Sequence, residues 1–486
     1  MNLIPPATGL KRPALTAGPR SWTYGELSLA SDELAAEIKS SAQTLTRPVA
    51  HVFGLEAAGA LAVHAIATSG LPLVLGHPNW TPSEQGAFID AVNPSLILSP
   101  AGWNWVSDGW SERPIVLPNF DPVSLWSRTS DVSSQNSTLV LSDGTDVAIW
   151  TSGSGGKPKL VCHSWSALIR NADEANKRLC FSMGDTWLAT LAWSHIGGLG
   201  VLLRTARARS TLAFGPSRFK AKRVLEAIEK SQVSHVSLVP AMLQALLDIA
   251  PPLPQSLEVV LIGGAATPPS LTERALSAGW PIALTYGMTE AGSQVSVAPP
   301  AEVAEGDGSV GPPLSCVNVR IASPEATSAG GSAHGEIELS GPTLFLGYGG
   351  DTPRDPASWF STGDLGFFDD SGCLCVTGRR SDQIITGGTN VDPDEVEAVL
   401  RRHPDVVEAC VLGIPDDTWG EVVTAVIVGG GRDLTRRVDT WIRDQLSGPK
   451  TPRRLFVVEE LPHTVNGKVD RTQVRSRIMA ATKDRI

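Results

Sequence analysis

Tyrosine is scarce in this chain, three residues in 486, while tryptophan is abundant at fourteen. The sequence itself offers no physical reason for that imbalance. Basic residues do not dominate either. Forty Lys and Arg against fifty Asp and Glu give a formal net charge of −10, which excludes a general nucleic-acid binder and suits cations gathered at one site. No apolar run reaches the roughly 20 residues that a membrane-spanning helix needs. The start, Met1 to Pro6, has no basic region followed by an apolar stretch, so no secretory signal is read and a cytoplasmic location is expected. The six cysteines are scattered, and Cys373-x-Cys375 has the wrong spacing for a zinc knuckle or a redox pair. Strand alternation puts both on one face, and reduced core thiols are expected. No internal repeats occur. An apolar content of 42% with 19% charged residues describes a globular chain with ample core, long enough for two or more domains.

The stretch around which the rest is organised is Thr151-Ser152-Gly153-Ser154-Gly155-Gly156-Lys157-Pro158-Lys159, entered from the apolar run Val147 to Trp150. Small residues let backbone N–H groups turn toward an anion, and hydroxyls and lysines add donors, so the stretch predicts a polyphosphate cradle. It is not a Walker A loop, because Thr151 replaces the first glycine and Pro158 stands where Ser or Thr must follow the lysine. It is not a dinucleotide fingerprint, because position 158 lacks the third glycine. Taken alone it also reads as a flexible surface loop.

Along the chain, Thr23 and Glu26 have capping-box spacing ahead of a stripe of Leu27, Ala30, Leu34 and Ile38, and Thr81, Pro82 and Glu84 repeat the signal. Strands at 49–53, 71–75 and 96–98 alternate with an Ala-rich helix at 57–68 and the helix after Thr81, predicting helices on a largely parallel sheet. Residues 102 to 142 read as mostly irregular. The α/β alternation resumes from Ser164 to about 290. Four loops then fall at strand ends with small, hydroxyl or acidic residues: 151–159, 194–200, 263–266 and 285–290. In open α/β sheets ligands sit at such ends. From about 309, glycine-rich alternation predicts a small antiparallel barrel or sheet. A boundary follows at Arg379-Arg380-Ser381-Asp382, and then a compact α+β unit of about 100 residues, enough for its own core. The expected fold is thus multidomain α/β: a large N-terminal domain of helix-flanked sheets with a barrel-like subdomain over 1–380, and a small mobile α+β domain over 381–486.

Six motifs in order carry a resemblance: the cradle; Ser194-His195-Ile196-Gly197-Gly198-Leu199-Gly200; Thr285-Tyr286-Gly287-Met288-Thr289-Glu290; Ser361-Thr362-Gly363-Asp364; Gly378-Arg379 with Gly387-Gly388-Thr389-Asn390-Val391; and Asn466-Gly467-Lys468. From about Trp22 onward the chain resembles the adenylate-forming superfamily of acyl-CoA synthetases, adenylation domains and luciferases. The resemblance implies ATP, Mg²⁺ and coenzyme A as cofactors and co-substrates, a small carboxylic acid as substrate, no nucleic-acid partner, no membrane span and a possible homodimer. It implies that Thr151, Ser152, Gly153, Ser154, Gly155, Gly156 and Lys159 hold the β- and γ-phosphates. Thr289 contacts phosphate and Glu290 holds Mg²⁺. Gly263, Gly264, Ala265 and Tyr286, with Thr285, Gly287 and Met288, form the adenine slot. Asp364 accepts the ribose hydroxyls, Arg379 supports them, and Lys468 reaches the reacting centre. His195, Gly197 and Gly198 shape the acyl pocket. Taken singly, Asp364 reads as a turn residue, Glu290 as a charge favoured by a helix dipole, Lys468 as a surface lysine and His195 as a structural histidine. Their order is what assigns them.

Two positions depart from the family pattern: Gly155 stands where Thr is usual and Leu160 where Gly is usual. Losing one hydroxyl donor is worth about 1 kcal/mol, so weaker ATP binding is expected. The 194–199 and 285–290 stretches, Ser293-Gln294, and Arg379 to Asp382 with Ile384 to Gly388 are similar to the o-succinylbenzoate–CoA ligase branch, which implies that Ser293 and Gln294 lie by the second carboxylate of an aryl diacid. Another aryl or short-chain acid, passed to a carrier protein or an amine, and a non-catalytic nucleotide-binding regulator are the alternatives. Asp364, Glu290 and Lys468 together argue against the regulator.

Overall fold

The computed structural model describes residues 3, 10–42, 47–103, 109–129, 140–151, 159–249, 252–265, 267, 269–306, 308–325, 334–379, 384–391, 393–462, 469 and 471–483. Four sheets organise them. The first has eight strands in the spatial order Ser293–Ala298, Ile282–Met288, Val259–Ile262, His235–Leu238, Thr186–Ala189, Thr211–Phe214, Pro13–Ala17 and Arg20–Thr23. Its inner strands are parallel and both edge pairs are antiparallel. The second also has eight, with Leu73–Leu75, Val49–His51, Leu96–Pro100 and Val147–Thr151 parallel at its centre. Inner parallel strands are covered on both faces, so they read as unbroken apolar runs; Val259–Ile262 is buried at every position.

Between the two sheets lies the Ala57–Ser69 helix, in which every residue but Thr68 is buried. Its alanines let it lie close to both sheets. The helices Tyr24–Ser41, Trp165–Arg178 and Ile196–Ala208 complete this core. Both predicted capping boxes form: Thr23 with Glu26, and Thr81 with Glu84, each worth about 1 kcal/mol to its helix.

Within 102–142 the structure adds an element that the sequence did not foretell: Trp110–Ile115 and Val123–Arg128 pair as an antiparallel hairpin on the edge of the second sheet. Its outer strand is largely exposed, so it carries no unbroken apolar run to reveal it. The expectation of core thiols holds for the buried Cys162, Cys316 and Cys410 and is corrected for the others, since Cys180 is exposed. Cys373 and Cys375 are half-buried, because Leu374 between them takes the core face. An open four-stranded antiparallel sheet, Asn318–Glu325, His334–Ser340, Phe360–Phe368 and Leu374–Arg379, follows. The fourth sheet draws all its strands from 384–458 and is covered by Pro393–Leu400, Leu434–Gln445 and Arg471–Lys483.

Candidate active site

The predicted phosphate loop is framed by a β-ladder. Val147–Thr151 and Lys159–His163 pair antiparallel, with Thr151 opposite Lys159, and the Thr151 hydroxyl donates to the Lys159 carbonyl at 3.3 Å. The pairing fixes both ends of the loop at the carboxyl edge of the second sheet. Ser152, Gly153, Ser154, Gly155 and Gly156 lie outside the described residues. Leu160, where a glycine was expected, points into the core and packs on Gly349.

The strand leaving the loop reaches the Thr289-Glu290 turn, which belongs to the other large sheet. His163 Nε2 lies 2.7 Å from the Thr289 carbonyl. A carbonyl only accepts, so Nε2 carries the proton; Nδ1 is buried without a partner. Burial pushes the imidazole pKa down to about 4, which keeps it neutral. The turn is a single 3₁₀ unit, Thr289–Ala291. The Glu290 carbonyl accepts the Phe345 N–H at 2.8 Å, and Glu290 Oε1 accepts the Tyr348 hydroxyl at 2.9 Å. The Lys159 ammonium sits 4.6 Å over the Tyr348 ring centroid. A lysine and a phenol from two strands thus meet a carboxylate from a turn in one place.

The Tyr286 hydroxyl donates to Asp364 Oδ2 at 2.6 Å. Asp364 is held from behind: its N–H donates to Thr362 Oγ1 at 3.0 Å, and Thr362 Oγ1 donates to the Ile337 carbonyl. Arg379 stands opposite Asp364 in the antiparallel register. Val259–Ile262 and Ile282–Met288 are parallel neighbours, which sets Gly263 against Thr285; a Cβ on Gly263 would lie 2.7 Å from Thr285 Cγ2. Gly287 is required by a bulge, since a Cβ there would meet the Ser293 carbonyl oxygen at 1.9 Å.

His195 precedes the Ile196–Ala208 helix, 6.4 Å from the His77 ring. His195 is exposed on one side, and desolvation by the surrounding protein lowers its pKa. His77 is pushed down to about 4, by burial first and by His195 second. Gly198 serves packing: its Cβ would collide with the Ala192 carbonyl oxygen at 2.2 Å. Ser293 holds φ +125°, a costly conformation for a residue with a Cβ. Gln294 is not free to meet substrate by itself. Its N–H and carbonyl are held by Asn171, and its side-chain oxygen accepts Arg204 Nη1 at 2.9 Å.

Arg204 is the residue that sequence reasoning missed. It is 2% exposed and stacks 4.6 Å over Trp187. Its Nε has no partner, and no carboxylate pairs with it among the described residues. Burial pushes its pKa down to about 9. The signal was available: an arginine four residues after Gly200, inside a helix otherwise apolar on that side.

Comparison with known proteins bears on the whole chain. The family model described as AMP-binding enzyme matches residues 6–349, and that of the AMP-binding enzyme C-terminal domain matches 395–468. The chain belongs to the AMP-binding enzyme family. The 2-succinylbenzoate–CoA ligase of Bacillus licheniformis is 32% identical over 415 residues, 85% of each chain. Among solved structures, the o-succinylbenzoate CoA synthetase of Bacillus subtilis, as a double mutant with the product analogue OSB-NCoA, superposes with a TM-score of 0.82 at 28% identity, covering 96% of both chains. With ATP and magnesium ion, the Bacillus subtilis protein gives 0.65 at 28% identity, covering 96% of both chains.

In this AMP-binding enzyme the Ile384–Val391 hairpin packs against the first sheet beside Val239 and Gly264. Gly388 has φ +79°, and a Cβ there would lie 2.3 Å from Val239 Cγ1. Its carbonyl oxygen is 3.3 Å from where a Cβ on Gly264 would be. The Ser447 N–H also donates to Glu84 Oε1 at 3.3 Å. Lys468 lies outside the described residues. No helix among them is long and apolar enough to cross a membrane.

Proposed function

We propose that this enzyme activates an aryl dicarboxylic acid of the o-succinylbenzoate type with ATP and transfers it to coenzyme A. The observation that carries the acid's class is Arg204. A buried guanidinium without a carboxylate partner costs several kcal/mol, and its neighbours Gln294 and Trp187 cannot neutralise it. A second carboxylate on the acid supplies the missing charge, with an aromatic body lying among His195, His77 and Ser293.

In the first half-reaction the acid's carboxylate oxygen attacks the α-phosphorus, the α–β bridging P–O bond breaks and pyrophosphate leaves. Charge grows on the phosphate oxygens, so preplaced donors lower the barrier. Lys159 and the 151–156 loop bear on the leaving pyrophosphate, and the Thr289 hydroxyl donates to the α-phosphate. Lys468 adds its ammonium from the C-terminal domain. Asp364 accepts the ribose hydroxyls, oriented by the Tyr286 hydroxyl on its Oδ2, and Tyr286 presents its ring to the adenine. Gly263, Gly264, Ala265, Thr285 and Met288 line the opposite wall, and Arg379 supports the ribose. Magnesium, when bound, neutralises and orients phosphate oxygens; the half-buried Glu290 carboxylate, a hard oxygen donor, fits it.

In the second half-reaction the thiol sulfur attacks the acyl carbon, and AMP leaves. The closed position of Gly388 supports reading the present pose as the one for this step, with 381–486 turning as a unit about the 380/381 boundary. Cytoplasmic location and a homodimer belong to the same proposal. A pyrophosphate-release screen over mono- and dicarboxylic aryl and aliphatic acids, with and without coenzyme A, tests it. Release dependent on an aryl diacid, with thioester made only when coenzyme A is present, is the expected result. Preference for a monoacid, or release without thioester, overturns it.

A further inference from the structure

Each of the three tyrosines uses its hydroxyl. Tyr24 donates to the Thr205 and Ser210 carbonyls, Tyr286 to Asp364 and Tyr348 to Glu290. Where this chain needs only an aromatic body it uses tryptophan or phenylalanine, as in the His77, Trp80, Phe88 and Trp150 row. Tyr348 stands apart because it touches two site residues at once. Its hydroxyl meets Glu290 Oε1 at 2.9 Å while its ring face carries the Lys159 ammonium at 4.6 Å.

The backbone explains why this side chain can do both. Gly347–Tyr348 is a two-residue edge strand paired with Lys159–His163, with Tyr348 opposite Val161. Phe345 packs on the Tyr348 ring at 4.9 Å between centroids, and the Phe345 N–H holds the Glu290 carbonyl. The phenol is therefore fixed to the same ladder that ends the phosphate loop. Its reach spans from that sheet to the Glu290 turn on the other.

We propose that Tyr348 is a positioning residue for the metal–nucleotide complex, a role that rests on reading Glu290 as the magnesium ligand. The hydroxyl occupies Oε1 and fixes the carboxylate plane. Oε2 takes no donor among the described residues and keeps its lone pairs for the cation. The ring face holds the Lys159 ammonium by a cation–π contact, so the lysine chain is ordered before ATP arrives and is kept off the carboxylate that the metal needs. Without Tyr348 the two opposite charges would pair with each other and compete with the metal–nucleotide complex.

The two contacts separate by substitution. Tyr348→Phe keeps the ring and loses the hydroxyl; Tyr348→Leu loses both. Binding is read on the full chain without acid, using Mn²⁺ as an electron-paramagnetic probe with ATP present, and ATP alone in EDTA by tryptophan fluorescence. Tyr348→Phe is expected to weaken Mn²⁺ binding about 10-fold, the scale of a hydrogen bond to a charged group, and to leave metal-free ATP affinity unchanged. Tyr348→Leu is expected to weaken metal-free ATP as well, by about 3- to 10-fold. Lys159→Met should then add less in the Tyr348→Leu background than in the wild type, as coupled residues do. Wild-type Mn²⁺ affinity in Tyr348→Phe overturns the proposal, as does equal behaviour of the two variants in both readouts. Glu290→Gln is the separate control: unchanged Mn²⁺ binding there removes the metal role of Glu290 itself, whatever the Tyr348 variants do.

Discussion

The Tyr286 hydroxyl lies 2.6 Å from Asp364 Oδ2, joining the second-to-last strand of the first large sheet to the small antiparallel sheet. The ring proposed to lie on the adenine thereby also orients the carboxylate proposed to take the ribose, so that the two contacts to one nucleoside are mechanically one unit.

Asp364→Ala should therefore raise the KM for ATP far more than that for the acid, because only one substrate loses a contact. Tyr286→Phe should raise it too, by about 10-fold or more, the scale of one hydrogen bond to a charged group. Steady-state kinetics with each substrate varied in turn checks both. A larger effect on the acid would move Asp364 out of the ribose role.

Arg204→Met should raise the KM for a dicarboxylic substrate by roughly 30-fold or more, since truncating one partner of a buried charge pair costs about 2–5 kcal/mol. The KM for ATP and the turnover of the matching monoacid should change little. Burial pushes the Arg204 pKa down, but a guanidinium keeps its charge throughout the working range and a bound carboxylate reinforces it. The diacid preference should therefore persist unchanged from about pH 7 to 9.

The half-reactions should separate by domain pose. Lys468→Ala should slow adenylation by about 100-fold, the scale for removing one donor to a developing anion, while thioester formation from supplied acyl-adenylate survives. Gly388→Val should do the reverse. Its Cβ would fall 2.3 Å from Val239 Cγ1 at φ +79°, which blocks the closed hairpin and leaves adenylation intact. Pyrophosphate exchange and thioester formation, measured separately, check the pair.

Acid should destabilise the fold well before the carboxylates titrate. His51 and His64 are buried, and burial lowers each to about 4 from an ordinary 6.5. The unfolded chain binds protons below 6.5 that the folded chain refuses, so stability present above pH 6.5 is lost as pH falls toward 4. At about 1.4 kcal/mol per pKa unit, two such groups amount to several kcal/mol. Thermal melts at pH 7, 5.5 and 4.5 should show the midpoint falling through this window, and His64→Leu should flatten the fall.

Much of this protein is local and so was written in the sequence. Capping at Thr23 and Thr81, the buried strand before Thr151 and the switch to antiparallel strands after 309 each follow from periodicity and turn chemistry within a few residues. The order of the motifs carried the resemblance to the family that the comparisons show. The edge hairpin at 110–128 was not legible, because an exposed edge strand need not be apolar. Arg204, Tyr348 and His163 were not legible either. Each acts through a partner far along the chain (Gln294, Glu290 and Thr289), and no spacing rule links residues brought together only when two sheets close on one helix. Local pattern determined which elements form and which loops are candidates for phosphate; only tertiary packing decided which buried charge lacks a carboxylate partner among the described residues, because desolvation depends on what surrounds a group in space.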